Sequence, residues 1–285
     1  MKQTNVKLLA AFGMVALLGV NSATRAETKA FRVCADPHNP PFSTMKGEGF
    51  ENRIAEMFAG ALGQKLEYTW FPQRLGFIRN TLKGKNPDSE EYKCDVVMGV
   101  PTGYELTGTT KSYYTSTYAL VYRKGKGLDQ VKVAEDLDRL APEVRSRLRI
   151  AMLDGAPGTT WILNHGLINQ GIPYQSMTGD AEANTAMVLA RDFKADKIDM
   201  VIIWGPIAGY IVSQAPEDYA MIPMKSEKGV KFEFPMSMGV RIPDKARKQQ
   251  LDELIQNNAA GIENILQEFR VPLVKEENSS GSVAK

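Results

Sequence analysis

The run from Phe31 to Trp70 constrains this chain more than any other part of it. Phe31 to Ala35 is apolar and long enough for one buried strand. It ends at Asp36-Pro37-His38-Asn39-Pro40-Pro41, where three prolines forbid both helix and central strand. After a polar, hairpin-like stretch, Gly49-Phe50-Glu51-Asn52 opens a helix. Its residues Ile54, Ala55, Met57, Phe58, Ala61 and Leu62 share one face of a helical period. Gly63 supplies the C-terminal stop, and Leu66 to Phe71 reads as a second strand. The result is one βαβ unit. Its rigid polar loop lies at the carboxyl end of the first strand, where open α/β sheets bind their ligands.

Upstream, Met1 to Ala26 reads as an export signal rather than as part of the fold. Lys2 and Lys7 give a basic start, Leu8 to Val20 is small and apolar, and Thr24-Arg25-Ala26 offers a cleavage site. The apolar stretch is too short to cross a bilayer, which takes about 20 such residues. The mature chain is expected to be exported. Cleavage would remove Lys2, Lys7 and Arg25 and no acid, turning the formal charge from +2 to about −1. A neutral chain with no basic run excludes the nucleic-acid binders and electrostatically held membrane proteins, and no second segment is fit for membrane insertion. The remaining length suits two domains. Cys34 and Cys94 are the only cysteines, and in an exported chain such a pair reads as a disulfide before a catalytic thiol.

The α/β alternation continues from Pro72. Arg74 to Leu82 carries Leu75, Ile78 and Leu82 at helical spacing, and Cys94 to Val100 is a third strand. Lys111 to Tyr122, rich in aromatic and β-branched residues, is extended. Glycine and charge from Arg123 to Gly127 mark a domain boundary. Beyond it the expected elements are a helix over 133–140, a strand over 148–153 and a helix over 161–167. A helix over 180–193, a strand over 198–203 and a helix opened by Pro206 follow. Phe232 to Arg241 is extended, Lys245 to Phe269 reads as one long amphipathic helix, and Lys275 to Lys285 is a charged, serine-rich tail.

Several of these features together resemble a known family. They are Asp36 followed by Pro41-Phe42, Gly49-Phe50-Glu51 opening a helix, and Cys94-Asp95-Val96-Val97-Met98-Gly99 before an aromatic strand. The second half adds Asp154 to Thr160 after a strand, Lys197-Ile198-Asp199 before another, and a late Met238-Gly239-Val240 return. The pattern resembles the type II periplasmic solute-binding proteins over about Phe31 to Leu273. More narrowly, Cys34-Ala35-Asp36-Pro37, Pro72-Gln73-Arg74 with Phe77 and Arg79-Asn80-Thr81-Leu82, and Val100-Pro101 resemble the J proteins of methanol dehydrogenase operons, MxaJ and XoxJ.

The resemblance implies two α/β lobes joined by a two-segment hinge near Val121 to Gly127 and Phe232 to Met236. Lobe 1 would take residues 27–124 and, on return, 234–274; lobe 2 would take 125–233. Strands one and three are neighbours in that fold, which implies a Cys34–Cys94 disulfide. It also implies an accessory protein that binds a pyrroloquinoline-quinone (PQQ)-dependent methanol dehydrogenase, in apo or immature form, and assists its maturation or activation. The alternative is the substrate-binding component of an ABC importer for a small solute that is not a free amino acid.

The expected cleft residues are Asp36, Phe42, Glu51, Arg74, Tyr104, Tyr113, Thr159, Thr160 and Trp204. The loop from Asp154 to Thr160, before a helix, suits an anion; equally, Thr159 caps its own helix. Glu51 faces ligand or is ordinary first-turn charge placement. Arg74 meets a carboxylate or is simply solvated. The tyrosines and Trp204 follow strand ends or begin the crossing segment, which fits an aromatic-lined cleft. No catalytic residues, cofactor or metal are expected. His38 and His165 have no acid or nucleophile at a recognised spacing, and no ligand cluster occurs.

Amino-acid-binding members of the resembled fold carry Thr-x-x-Arg after the third strand and an acid after the Ile-Asp strand. Here those places read Thr102-Gly103-Tyr104-Glu105, with no arginine through Lys111, and Ile203-Trp204-Gly205-Pro206. A zwitterion must shed water from both charges, and only charged partners recover that cost. None of the twenty amino acids should therefore raise the melting temperature. A bound ligand at about 100 times its dissociation constant would add nearly 3 kcal/mol, and a clear shift with any one of them would contradict this.

Overall fold

The structure, a computed structural model, describes residues 30–178 and 180–275. The expected export signal, Met1 to Ala26, and the tail after Lys275 lie outside the described residues. Lobe 1 opens with β1 (Phe31–Ala35), a two-stranded hairpin of β2 (His38–Asn39) and β3 (Ser43–Thr44), α1 (Phe50–Leu62) and β4 (Leu66–Trp70). It goes on with α2 (Phe77–Asn80), β5 (Val96–Pro101) and β6 (Gly108–Thr109). Strand β7 (Tyr114–Arg123) leads into lobe 2. There α3 (Pro142–Arg145), β8 (Ile150–Leu153), α4 (Pro157–Asn164), β9 (Gly171–Tyr174), α5 (Thr185–Lys194), β10 (Met200–Trp204), α6 (Gly205–Gln214) and β11 (Tyr219–Pro223) follow. Strand β12 (Glu233–Val240) returns to lobe 1, closed by α7 (Lys245–Asn257) and α8 (Ala259–Glu268).

The founding βαβ unit forms as its pattern requires. β1 pairs parallel with β4 and with β5, and Gly63 ends α1 in the left-handed region at φ 60°. Alternation along β1 sends Phe31, Val33 and Ala35 into a core shared with α1, α7 and α8. Cys34 points to the opposite face, with Phe77, Ile78, Leu82, Val97 and Val100. There it bonds Cys94 across a Cα separation of 5.4 Å. The expected disulfide is present because Cys94 enters β5 beside β1.

Lobe 2 repeats the logic with both sheet faces covered. Leu120, Met200 and Ile202 pack against Trp161 of α4 on one side. Ala119, Val121, Val201 and Ile203 pack against α5 and α6 on the other. Full burial on both faces explains why these strands read as unbroken apolar runs.

The lobes share one ten-stranded sheet ordered β4-β1-β5-β12-β7-β10-β8-β9, with β11 on β7 and β6 on β12. Residues Tyr114 to Thr117 of β7 pair with β12, whereas Ala119 to Tyr122 pair with both β10 and β11. The strand thus changes lobes at Thr117–Tyr118, N-terminal to the expected crossing near Val121 to Gly127. At the return crossing the Tyr118 amide donates to the Phe232 carbonyl at 3.2 Å.

Other elements depart from the sequence reading for local reasons. The expected single helix over 245–269 is two helices. The Asn258 side chain donates to the Leu254 carbonyl at 2.8 Å, competing with the helical ladder at the break. The helix expected from Asp180 begins at Thr185, because the Asn184 side chain caps it by accepting from the Met187 amide at 3.0 Å. Pro157 starts α4 ahead of Trp161. The helix expected over 133–140 is a 3₁₀ turn at Ala134–Arg139. Strands β9 and β11 lack a period-2 signal, and both hold a proline, which an edge strand tolerates.

The disulfide closes a loop with a sequence separation of 60. Replacing both cysteines with serine should cost about 4 kcal/mol by loop entropy, seen as a lower denaturant midpoint. Denatured, unreduced wild-type protein should show no reactive thiol.

Candidate functional site

A cavity of about 1180 Å³ lies between the lobes at the carboxyl ends of β1, β5, β8 and β10. Lobe 1 lines it with Phe42, Phe77, Val97 and Val100, lobe 2 with Leu153, Ala156, Ile203, Trp204 and Ile207, and the hinge strands with Tyr118 and Met236. Trp204 meets Tyr118 edge-on at 5.5 Å and Phe234 at 6.0 Å, so the hinge end of the cleft is aromatic.

Asp36, Phe42, Glu51, Arg74, Tyr104 and Trp204 all line this cavity. Asp36 does so in a positioning role. Its carboxylate accepts from the His38 amide at 2.8 Å and the Gln73 amide at 2.6 Å, tying the proline loop to the loop before α2. Arg74 is exposed at the rim. Three expected residues stand outside the wall. Tyr113 packs edge-on against Tyr114 at 4.8 Å and donates its hydroxyl to the Met98 carbonyl, beneath the floor. Thr159 donates to the Leu153 carbonyl at 2.7 Å, which fastens the first turn of α4 to the end of β8. Thr160 follows it on the exposed side of that turn. With Pro157 lacking an N–H, and the Thr159 and Thr160 amides both bonded to the Ala156 carbonyl, this turn forms no anion cradle.

The sequence reading missed a rim. Leu75, counted there as a core position of a helix, is 91% exposed, because α2 is a single turn starting only at Phe77. Tyr104, Leu106 and Met177 join it around the cavity at 36%, 47% and 51% exposure. Large apolar side chains at such exposure carry no periodic signal, since it is their failure to pack that places them. Asn184 falls inside the helix expected over 180–193, so its place at the helix start carried no signal. Besides its capping bond it donates across the cleft to Asn39 Oδ1 at 2.7 Å and to the Pro40 carbonyl at 2.9 Å. His38 meets Glu182 at 3.1 Å at the same place, so the lobes touch along one edge of the cavity.

Glu51 is the unusual group. The carbonyls of Pro41 and Phe42 take the amides of Phe50 and Glu51, which stitches the proline loop to the start of α1 and turns the Glu51 side chain into the cleft. Its carboxyl oxygen lies where a side chain on residue 99 would stand, since a Cβ on Gly99 would come within 2.2 Å of it. Among the described residues no side chain hydrogen-bonds or ion-pairs with this carboxyl. Burial pushes it up to about 8. Burial also raises Tyr113 and Tyr114 below it, and the nearby Glu51 carboxyl adds to both shifts. No three His, Cys, Asp or Glu side chains gather as a metal site among the described residues.

With this geometry in hand, known proteins can be compared. No protein-family profile matches the chain. The crystal structure of periplasmic binding protein XoxJ from Methylobacterium extorquens AM1 is 33% identical, with a TM-score of 0.68 over 87% of this chain and 100% of that one. The chain belongs to the MxaJ/XoxJ type of periplasmic binding proteins. Protein MoxJ of Methylorubrum extorquens AM1 is 27% identical over 270 residues, covering 90% of this chain and 85% of the relative. The structure of MxaJ from Methlophaga aminisulfidivorans MPT, 24% identical, shares the fold at a TM-score of 0.70, over 86% of this chain and 100% of that one.

In this MxaJ/XoxJ chain the segments after β5 and at the end of β10 contribute apolar rim and wall to the cavity. Tyr104 and Leu106 stand at one and Trp204 and Ile207 at the other.

The Glu51 shift makes a sign-definite prediction. Its folded value of about 8 lies above the ordinary 4.5. The native state therefore keeps a proton that the unfolded chain releases, and stability falls as pH rises between those values. Glu51→Gln should leave stability near pH 4.5 unchanged and raise it by roughly 3 kcal/mol at pH 7, measured as denaturant midpoints at both pH values.

Proposed function

We propose that the protein is a periplasmic accessory protein of a methanol oxidation system. In this reading it binds a PQQ-dependent alcohol dehydrogenase, in apo or immature form, through the mouth of the cleft and assists its maturation or activation. It performs no chemistry itself. The observation that carries the reading is the rim. Leu75, Tyr104, Leu106 and Met177 expose apolar surface around a cavity of about 1180 Å³. That exceeds the usual small-molecule pocket of about 300–1,000 Å³. Exposed apolar side chains gathered around one cavity fit a protein-binding surface. Similarity to XoxJ and MoxJ supports the choice of system. Signal-like residues at Met1 to Ala26 support the periplasmic address, and among the described residues no helix is long and apolar enough to cross a membrane.

The second reading, delivery of a small solute to an importer, draws on the contact between Asn184 and Asn39, which closes one side of the cavity as a captured solute would need. A pull-down from periplasmic extract separates the two. The mature protein should capture the dehydrogenase from extract lacking PQQ, and a Leu75→Ser, Tyr104→Ser variant should bind it at least tenfold more weakly at unchanged melting temperature. A stoichiometric co-purifying small molecule, with no dehydrogenase from apo or holo extract, would install the importer reading instead.

A further inference from the structure

Glu51 combines three properties that a merely structural carboxylate does not. It sits on the floor of the cavity of about 1180 Å³, no side chain among the described residues partners it, and the chain makes room for it by leaving residue 99 without a side chain. Asp95, Asp199 and Asp192, all buried, are paired with cations, and Asp36 is held by two amides. Asp95 takes Arg32, Arg241 and Arg247; Asp199 takes Arg149; Asp192 takes Lys197 and Tyr174. Burying a charge without a partner is costly, and folds normally avoid it. Here the carboxyl is kept, and among the described residues no cation meets it.

Other charged groups do line the cavity. Asp36, His38, Arg74, Arg79, Lys83 and Asp180 open onto it, and the Tyr113 and Tyr114 hydroxyls lie beneath. Asp36 is held by two amides and His38 by Glu182. None of the cations among them forms an ion pair with Glu51. Apolar Phe42, Val97 and Met236 line the same cavity, and the place of Glu51 in the first turn of α1 favours negative charge. What is missing is a positive group on an apolar stem.

We propose that Glu51 is a binding residue for an organic cation. The cleft floor takes one alkylammonium or guanidinium group, with the Glu51 carboxylate as its counter-ion and the apolar floor around its stem. Binding converts a protonated carboxyl to a carboxylate and releases that proton to solvent, so the reaction balances without another participant. A free amine or a basic side chain of a protein partner would supply the same group. The assignment rests on the cleft being the binding site, as in the function proposed above.

Hexylammonium is the direct probe, with hexanol as the uncharged control of equal stem. A free amino acid would bring its carboxylate onto the same apolar floor. By titration calorimetry the protein should bind hexylammonium more than tenfold tighter than hexanol near pH 8. Glu51→Gln, whose melting temperature at neutral pH should equal or exceed wild type, should lose that preference. Affinity should rise about tenfold per unit from about pH 6 to about 8, as the carboxyl ionises, and then level off. His38→Gln should leave the profile unchanged. Equal binding of the two probes, no binding of hexylammonium, a flat pH profile or an unaffected Glu51→Gln variant would each overturn the assignment.

The two proposals fail separately. Hexylammonium bound as expected, with no dehydrogenase captured, would overturn the partner reading and leave this site standing. Capture of the dehydrogenase with both probes bound alike would do the reverse. Where both proposals hold, displacement of the dehydrogenase by hexylammonium assigns the cation to a basic side chain of the partner. Failure to displace assigns it to a free amine.

Discussion

The backbone hydrogen bonds of β7 hold the two halves of the molecule together and create its cleft. Over Tyr114 to Thr117 the strand is zipped to β12, and beyond Tyr118 it is zipped to β10 and β11, so one ladder runs through both lobes. At the change-over the side chains are polar yet buried. The Ser116 hydroxyl donates to the Pro272 carbonyl and the Thr117 hydroxyl to the Met224 carbonyl. The chain after α8 returns here, with Leu273 bridging Ser116. Buried hydroxyls satisfied by backbone carbonyls let three chain segments cross in a dry hinge without stranding a polar group. Every strand end that faces the cavity is aimed by this ladder.

Around that frame, charge is distributed in two ways. Where a carboxylate serves the fold, arginine surrounds it. Burial alone would raise Asp95, but hydrogen bonds from Arg32 and Arg241 outweigh it and hold the group below the usual carboxylate range. That cluster joins β1, β5 and the segments flanking α7 at the end of the sheet away from the cleft. Inside the cleft the same residue type stands alone. Glu51 is held by the backbone of α1 and by the space over Gly99, and among the described residues no cation pairs with it. The contrast separates a carboxylate that binds the protein together from one directed at something outside it.

The βαβ unit was legible because it depends on local pattern, whereas the disulfide pairing and the two-lobed class were legible through the family resemblance, which supplied the strand order. Phe31 to Ala35 could only be a strand, Pro37 to Pro41 could only be a loop, and Gly63 could only end a helix. Much of the cavity wall was legible as well, since Phe42, Tyr104 and Trp204 follow strand ends and strand ends point into the cleft.

What the sequence determined by itself is the set of elements, their order and the polarity of their faces, because periodicity and turn chemistry act over a few residues. Tertiary structure alone decided which of these residues meet. It moved Tyr113 beneath the floor, where its hydroxyl found the Met98 carbonyl, and it drew Thr159 to the Leu153 carbonyl instead of the cavity. It left Leu75 in solvent by ending a helix after one turn. It also gave Gly99 its meaning. A glycine in a strand reads only as a weak point until α1 crosses above it and a carboxyl from another element fills the space its side chain would occupy. Contacts between elements far apart in the chain are set by how the lobes pack and twist, and no short-range pattern encodes that geometry.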